Sequence, residues 1–200
     1  MTENQRWFKP IIAALRQINA EEDLQQHLEQ EDRRTEEALM LGPLDADLVR
    51  HLFEQHDPLA LVLRGRLYLE EALDAVVAKK FKHGETLLQG RSYSFSVKMD
   101  LLRAAGYLDQ KMYHDLHGVS RLRNSYAHHL SSEIGEYDLS AFTDCAGLKA
   151  VTQNSGAEAR QWINIFMFRQ IILQILRRLV VRHKLTVSAP EATGGHEDVS

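Results

Sequence analysis

Residues 121–130 read Arg-Leu-Arg-Asn-Ser-Tyr-Ala-His-His-Leu and close a run of helical periodicity that begins near Asp109. A buried helix seldom places an arginine, an asparagine and a histidine within six residues, because each polar group must find a partner or water. On an ideal helix Asn124 and His128 stand one turn apart on one face. Arg123 points about 140° away from His128 but can reach back on its long side chain. The stretch therefore predicts a cation, an amide and a titratable imidazole around one phosphate group.

Two segments of the chain resemble a known family. Residues 123–128, Arg-Asn-Ser-Tyr-Ala-His, resemble the Arg-x4-6-His motif, in its Arg-Asn-x-x-x-His form, of the HEPN superfamily (higher eukaryotes and prokaryotes nucleotide-binding). Residues 63–71, Leu-Arg-Gly-Arg-Leu-Tyr-Leu-Glu-Glu, are similar to helix starts in HEPN-type relatives of the mannitol operon repressor. The resemblance spans residues 57–185. It implies an all-α, up-down helical bundle that forms a homodimer, in which two motif helices meet in one composite cleft.

The family is known for metal-independent ribonucleases, which predicts the roles of the motif residues. In such a cleavage the ribose 2′-OH attacks the adjacent phosphate and the 5′-oxygen leaves. Histidine has the pKa suited to moving protons near neutral pH, and arginine binds phosphate through a planar, permanently charged fork. The resemblance makes Arg123 and His128 catalytic and Asn124 their supporting residue. The candidate substrate-binding residues are Arg121, His129, Arg64 and Arg66. The site needs no metal or other cofactor.

A second interpretation of the same residues stays open. Many proteins of this fold keep an Arg-Asn…His stretch for helix capping or dimer contacts, and the mannitol-repressor relatives are regulators. One toxin subgroup of the family has a tyrosine two residues after the motif histidine, where this chain has Leu130. The predicted partners are a second copy of the chain, RNA, and an antitoxin or regulatory protein. The sequence predicts either an endoribonuclease or a non-catalytic regulator acting through protein contacts.

Composition favours a helical protein and excludes several other classes. The chain has 200 residues, of which 44% are hydrophobic and 26% charged, with only 11 glycines and 4 prolines to interrupt helices. The formal net charge of −4 argues against a protein that coats nucleic acid indiscriminately, although a local basic cleft remains compatible with it. The single cysteine, Cys145, rules out an intramolecular disulfide and a cysteine-based zinc knuckle.

Hydropathy predicts a cytoplasmic protein that does not enter a membrane. Residues 1–6 lack the charged-then-apolar pattern of a signal peptide. The longest apolar stretch, 163–181, is interrupted by six polar or charged residues and is too polar to span a bilayer.

The chain divides into three predicted parts. Residues 1–56 form an N-terminal helical appendage, in which the charged run 29–34 is expected to be a solvated face. Residues 57–185 form the HEPN-like bundle, with a loop over 83–91. Residues 186–200 lack periodicity and are predicted to be disordered.

The last predicted helix, 157–185, is apolar on more than one face and therefore needs covering on two sides. It is either the central helix of the bundle or a helix with one stripe in a dimer interface.

Weaker patterns suggest other sites. His114 and His117 could ligate a metal with an acid from another helix. Glu70 and Glu71 could be paired acids, although pairing of one of them with an arginine is the better interpretation. Cys145 is interpreted as buried filler. The aromatic residues of the last helix are interpreted as core.

Overall fold

The computed structural model describes residues 11–15, 18, 21–40, 44–54, 57–89, 93–128, 139, 142–143, 145, 148–153 and 155–185, with the backbone alone for 21–22, 37–40 and 126–128. The regular structure of these residues is helical and includes no strand, which confirms the all-α prediction. Residues 11–15 form a helical turn. The helices that follow are α1 (Glu21–Met40), α2 (Ala46–Phe53), α3 (Pro58–Lys80), α4 (Gly84–Gln89), α5 (Phe95–Ala104), α6 (Gln110–His128), α7 (Leu148–Gln153) and α8 (Ala157–His183).

Short polar side chains fix the starts of several helices. Asp57 accepts hydrogen bonds from the N–H groups of Leu59 and Ala60, both at 3.2 Å, directly before Pro58 at the first helical position. Asp45 and Ser94 cap α2 and α5 in the same way. Asp109 accepts from the N–H of Met112 at 2.8 Å and so begins α6. The sequence predicts these starts at Asp45 or Asp47, at Asp57-Pro58, at Ser94 or Ser96 and at Asp109, because a cap and the amide it binds are close in the chain. The structure selects Asp45 and Ser94.

Helix α8 is the central element of the described structure. From 163 to 176 every side chain except the half-buried Ile165 is buried. Helix α3 packs against it, and α1, α2, α6 and α7 also contact it. The approach to α3 is close at Gly65, where a Cβ atom would lie 3.0 Å from Cγ1 of Ile172. Of the two interpretations of this helix, the structure therefore supports the central one.

The N-terminal segment shares the hydrophobic core of the rest. Leu24 and Leu28 of α1 are buried, as are Ile11, Ile12 and Leu15, and the core continues from there to Leu185. Helix α1 packs along α2 and α8.

The prediction that the charged run 29–34 is a solvated face is wrong for one residue of that run. Asp32 is half-buried and forms an ion pair with Arg169, a buried residue of α8. It follows Leu24 and Leu28 at helical spacing and so lies on the face that α1 turns to the core. The sequence offers no local sign of a partner that is 137 residues away.

Two further predictions of structure are corrected. Part of the predicted loop 83–91 is helical, since α4 occupies Gly84–Gln89. The helical spacing of Leu59, Val62, Leu63 and Leu69 predicts a core face, but Leu63 is 40% exposed, because α3 turns the face with Leu61 and Leu69 inward. The sequence also predicts that Gly42-Pro43 stops a helix. This stop and the predicted disordered tail 186–200 lie outside the described residues. Within the described part of the chain, none of the helices combines the length and the apolar character needed to cross a membrane.

Candidate functional site

Helix α6 carries the motif and is anchored by its apolar face. The helical spacing of Met112, Leu116, Val119, Leu122 and Tyr126 predicts its core face. The first four are buried, and the side chain of Tyr126 lies outside the described residues. Asp115 is also buried and accepts hydrogen bonds from the N–H of Thr143 at 2.7 Å and from Arg178 of α8 at 3.4 Å. Asp115 is the only acidic residue of α6, and its carboxylate is buried against Thr143 and Arg178.

The opposite face of α6 is a row of polar and basic positions, which we call the α6 stripe. It consists of His114, His117, Arg121, Asn124 and position 128. Successive members are three or four residues apart, which keeps all five within an arc of about 80° on a helix with 3.6 residues per turn. His114, Arg121 and Asn124 are exposed and His117 is half-buried. Because α6 is continuous from Gln110 to His128, its backbone places these positions on one surface.

Arg123 lies on a different side of α6 from the stripe, and its side chain reaches toward Asn124. Its position is about 140° around the helix from 128, and its side chain is half-buried. Its Nη1 donates a hydrogen bond to Oδ1 of Asn124 at 3.3 Å, which draws the guanidinium toward the stripe. Among the described residues neither Arg121 nor Arg123 pairs with a carboxylate, whereas Arg34, Arg50 and Arg182 each do. The end of α6 therefore carries two arginine charges that no described acid neutralises.

The imidazoles of the motif lie beyond what the structure describes. His128 is the last residue of α6, and its backbone alone is described. His129 lies outside the described residues. The predicted proximity of the Arg123 guanidinium and the His128 imidazole stays a prediction.

The two arginines predicted from α3 do not join α6 through any described hydrogen bond or ion pair. Arg66 donates to Glu70 at 2.8 Å and its guanidinium lies 4.7 Å from the centre of the Phe95 ring. Glu70 also accepts from the buried Lys98 of α5 at 3.1 Å. Arg66 is thus part of a network that joins α3 to α5, while Arg64 is exposed on α3.

The other candidate groups show no assembled site. Glu70 pairs with Arg66, as interpreted from the sequence, and burial together with the charge of Asp74 raises the pKa of Glu71. His117 packs against the Tyr113 ring at 4.8 Å, and His114 lies 3.6 Å from the Asp115 carboxylate. Over the described ranges, no three histidine, cysteine or acidic residues come together in a way that could hold a metal ion. Cys145 is buried.

Sequence reasoning missed the arrangement of the α6 stripe. The sequence motif centres on Arg123, yet Arg121 is the arginine on the face of Asn124 and position 128. The sequence suggests His114 and His117 as metal ligands only, although they continue the same row. The signal was available as the spacing of 114, 117, 121, 124 and 128 along one uninterrupted helix.

Comparison with known proteins finds no matching family model, no similar curated protein and no similar solved structure.

Proposed function

We propose that the chain is a metal-independent endoribonuclease of the HEPN type, built on that family's up-down bundle and acting as a cytoplasmic homodimer in a toxin, defence or stress response. One observation carries the proposal: the α6 stripe presents Arg121 and Asn124 on an exposed face, beside Arg123, with no described carboxylate pairing either arginine. A protein with a formal net charge of −4 thereby keeps a local cationic surface. Such a surface suits a phosphate backbone.

The proposed chemistry is attack of a ribose 2′-OH on the adjacent phosphorus. His128 accepts the 2′-OH proton or donates a proton to the departing 5′-oxygen, and the corresponding histidine of a second copy supplies the complementary transfer. The products are a 2′,3′-cyclic phosphate and a 5′-hydroxyl. Arg123 stabilises the negative charge that develops on the phosphorane oxygens, and Asn124, which already accepts a hydrogen bond from Arg123, orients that guanidinium.

Binding of the RNA strand is assigned to the rest of the stripe. Arg121 stands two turns before position 128, about 10 Å along the helix axis, which is more than the spacing between neighbouring phosphates along a strand. It would therefore contact the backbone away from the cleaved bond. His117 and His114 continue the same line, and they would add charge when protonated.

The test is incubation of the purified protein with a mixed RNA pool in EDTA, with the product ends identified chemically. We expect cyclic-phosphate ends from the wild type and a loss of at least about 100-fold in cleavage rate for His128→Ala and Arg123→Ala. Arg121→Ala should weaken RNA binding and lower its dependence on salt, with a smaller effect on the rate at saturating RNA. Arg34→Ala removes an exposed arginine on α1 and serves as the matched control.

The mass of the particle in solution is measured in parallel. A wild-type dimer that binds RNA or a protein partner but leaves the RNA pool uncut in EDTA would contradict the nuclease proposal. That result would favour a regulator of the mannitol-repressor kind. Cleavage that survives His128→Ala would remove His128 from the mechanism.

A further inference from the structure

A cavity of about 340 Å³ lies between α1 and α8. It is formed by a different part of the chain from the α6 stripe. Its apolar walls are Leu28 of α1 and Trp162, Ile165 and Phe166 of α8. Leu28 and Phe166 are buried, whereas Trp162 and Ile165 are half-buried, so the cavity has apolar walls beside an opening to solvent. Its volume lies at the small end of the range for ligand pockets.

The floor of the cavity is an ion pair that is already complete. Arg169 is 3% exposed, and its guanidinium donates to Asp32 and, through Nε at 3.1 Å, to the carbonyl oxygen of Leu52. The same group lies 5.2 Å from the centre of the Phe53 ring. Because Asp32 balances the charge of Arg169, the floor does not call for an anionic ligand.

The opening carries negative charge that no described cation balances. Glu29 on α1 and Glu158 on α8 both line the cavity and are exposed. Neither forms a salt bridge among the described residues, and Glu29 accepts only from the amide of Gln25, at 3.1 Å. Arg160, the cation nearest to Glu158 in the sequence, instead donates to the carbonyl oxygens of Thr152 and Ser155.

We propose that this cavity binds a small organic cation with an aromatic or branched apolar body, such as an arylalkylamine. The apolar body packs against Trp162, Phe166 and Leu28, while the ammonium group lies at the opening between Glu29 and Glu158. Two carboxylates attract the cation, and the indole of Trp162 is the aromatic group that binds ammonium ions best. An anion would meet unbalanced carboxylates, and a neutral ligand of the same shape would gain the apolar contacts alone. This binding site goes beyond the proposed RNA chemistry and does not depend on it.

The test is calorimetric titration of the full-length protein with 2-phenylethylamine, 2-phenylethanol and 3-phenylpropanoate. These probes share a ring and a short chain and differ in the charge of the end group. We expect saturable one-to-one binding of the amine, at least tenfold weaker binding of the alcohol, and no binding of the carboxylate. Tryptophan emission should change with the amine in the wild type and not in Trp162→Phe, which places the ligand in this cavity.

Two isosteric variants test the role of the carboxylates. Glu29→Gln and Glu158→Gln should each weaken binding of the amine about tenfold and leave binding of the alcohol unchanged. Glu85→Gln, at an exposed acid of α4, is the matched control and should change neither. Thermal unfolding of each variant checks that the fold is kept. Equal affinity for amine and alcohol, amine binding that survives both substitutions, or no saturable binding by the amine would each overturn the proposal.

Discussion

Arg169 of α8 joins the central helix to α1 through an ion pair with Asp32. Its side chain is 4% exposed and its charge is matched by Asp32, whose side chain is 21% exposed. Burial raises the pKa of Asp32 above its ordinary range, although the neighbouring guanidinium acts in the opposite direction. Burial of the two charges thus costs desolvation free energy. Removal of one member destabilises the fold more than removal of both, because it leaves the other charge buried without a partner.

We expect Asp32→Ala to lower the free energy of unfolding by about 2–3 kcal/mol, because it leaves a buried guanidinium without its counter-charge. Adding Arg169→Met should restore much of that loss, since an apolar side chain needs no partner. Urea denaturation of the two single variants and the double variant forms a complete cycle. Glu31→Ala, which removes the partner of the exposed Arg34, should cost less than about 1 kcal/mol. Equal losses for Asp32→Ala and Glu31→Ala would contradict this account.

His183 predicts how stability depends on pH. It is 3% exposed at the end of α8, and burial lowers its pKa, with a further lowering by Arg182 and Lys80. The unfolded chain, in which the pKa is near 6.5, therefore takes up the proton first as the pH falls. The stability that His183 contributes is fully present above about pH 6.5 and is lost as the pH falls through the lower folded-state pKa.

We expect His183→Gln to reduce the loss of unfolding free energy between about pH 7.5 and about pH 5, because it removes the titrating group. The exposed His83, replaced in the same way, is the matched control, and we expect a larger effect from His183→Gln than from this replacement. The measurement is urea denaturation across the pH series. If His183→Gln and the wild type had the same pH dependence of the unfolding free energy, groups other than His183 would cause the loss of stability.

At the scale of single elements, the structure shows which features are readable from local sequence. The sequence predicts the starts of α3 and α6 at Asp57-Pro58 and Asp109, and that of α5 at Ser94 or Ser96, since a cap and the amide it binds are neighbours in the chain. Helix α4 was missed because six residues hold too few turns for a periodic pattern. The row of positions along α6 follows from spacing alone, whereas the pairing of Arg66 with Glu70 over the Phe95 ring needs the packing of α5 on α3.

Helix α4 also depends on a glycine at its first position. A Cβ atom on Gly84 would lie 2.1 Å from the carbonyl oxygen of Val77, a backbone atom that cannot rotate away. We expect Gly84→Ala to lower the free energy of unfolding by about 2 kcal/mol, in the range of overpacked sites. Glu85→Ala, one residue later and exposed, is the control for helix propensity. The measurement is chemical denaturation of both variants. Equal losses of unfolding free energy in Gly84→Ala and Glu85→Ala would contradict a clash at Gly84.

At the scale of the whole molecule, the sequence predicts either that α8 is the central helix or that one of its faces lies in a dimer interface. An apolar surface is compatible with both, because it does not show which element covers it. The structure answers this by placing α1, α2, α3, α6 and α7 against it. The same packing brings the predicted N-terminal appendage onto the central helix, through Leu24, Leu28 and the pair of Asp32 with Arg169. Contacts between such distant parts of a chain cannot be derived from periodicity.

A shared core predicts that α1 and the remaining helices unfold together. Far-ultraviolet circular dichroism reports all helices, and tryptophan emission includes Trp162 on the α8 face that lines the cavity with α1. We expect the two signals to give one transition with the same urea midpoint. Leu28→Ala, at a side chain that is 5% exposed, should lower both midpoints alike and cost about 2 kcal/mol. Leu67→Ala, at a side chain of α3 that is 54% exposed, should change neither. If α1 instead behaved as a separate unit, Leu28→Ala would shift a minor early transition and leave the main one in place, because the bundle would keep its own core without α1.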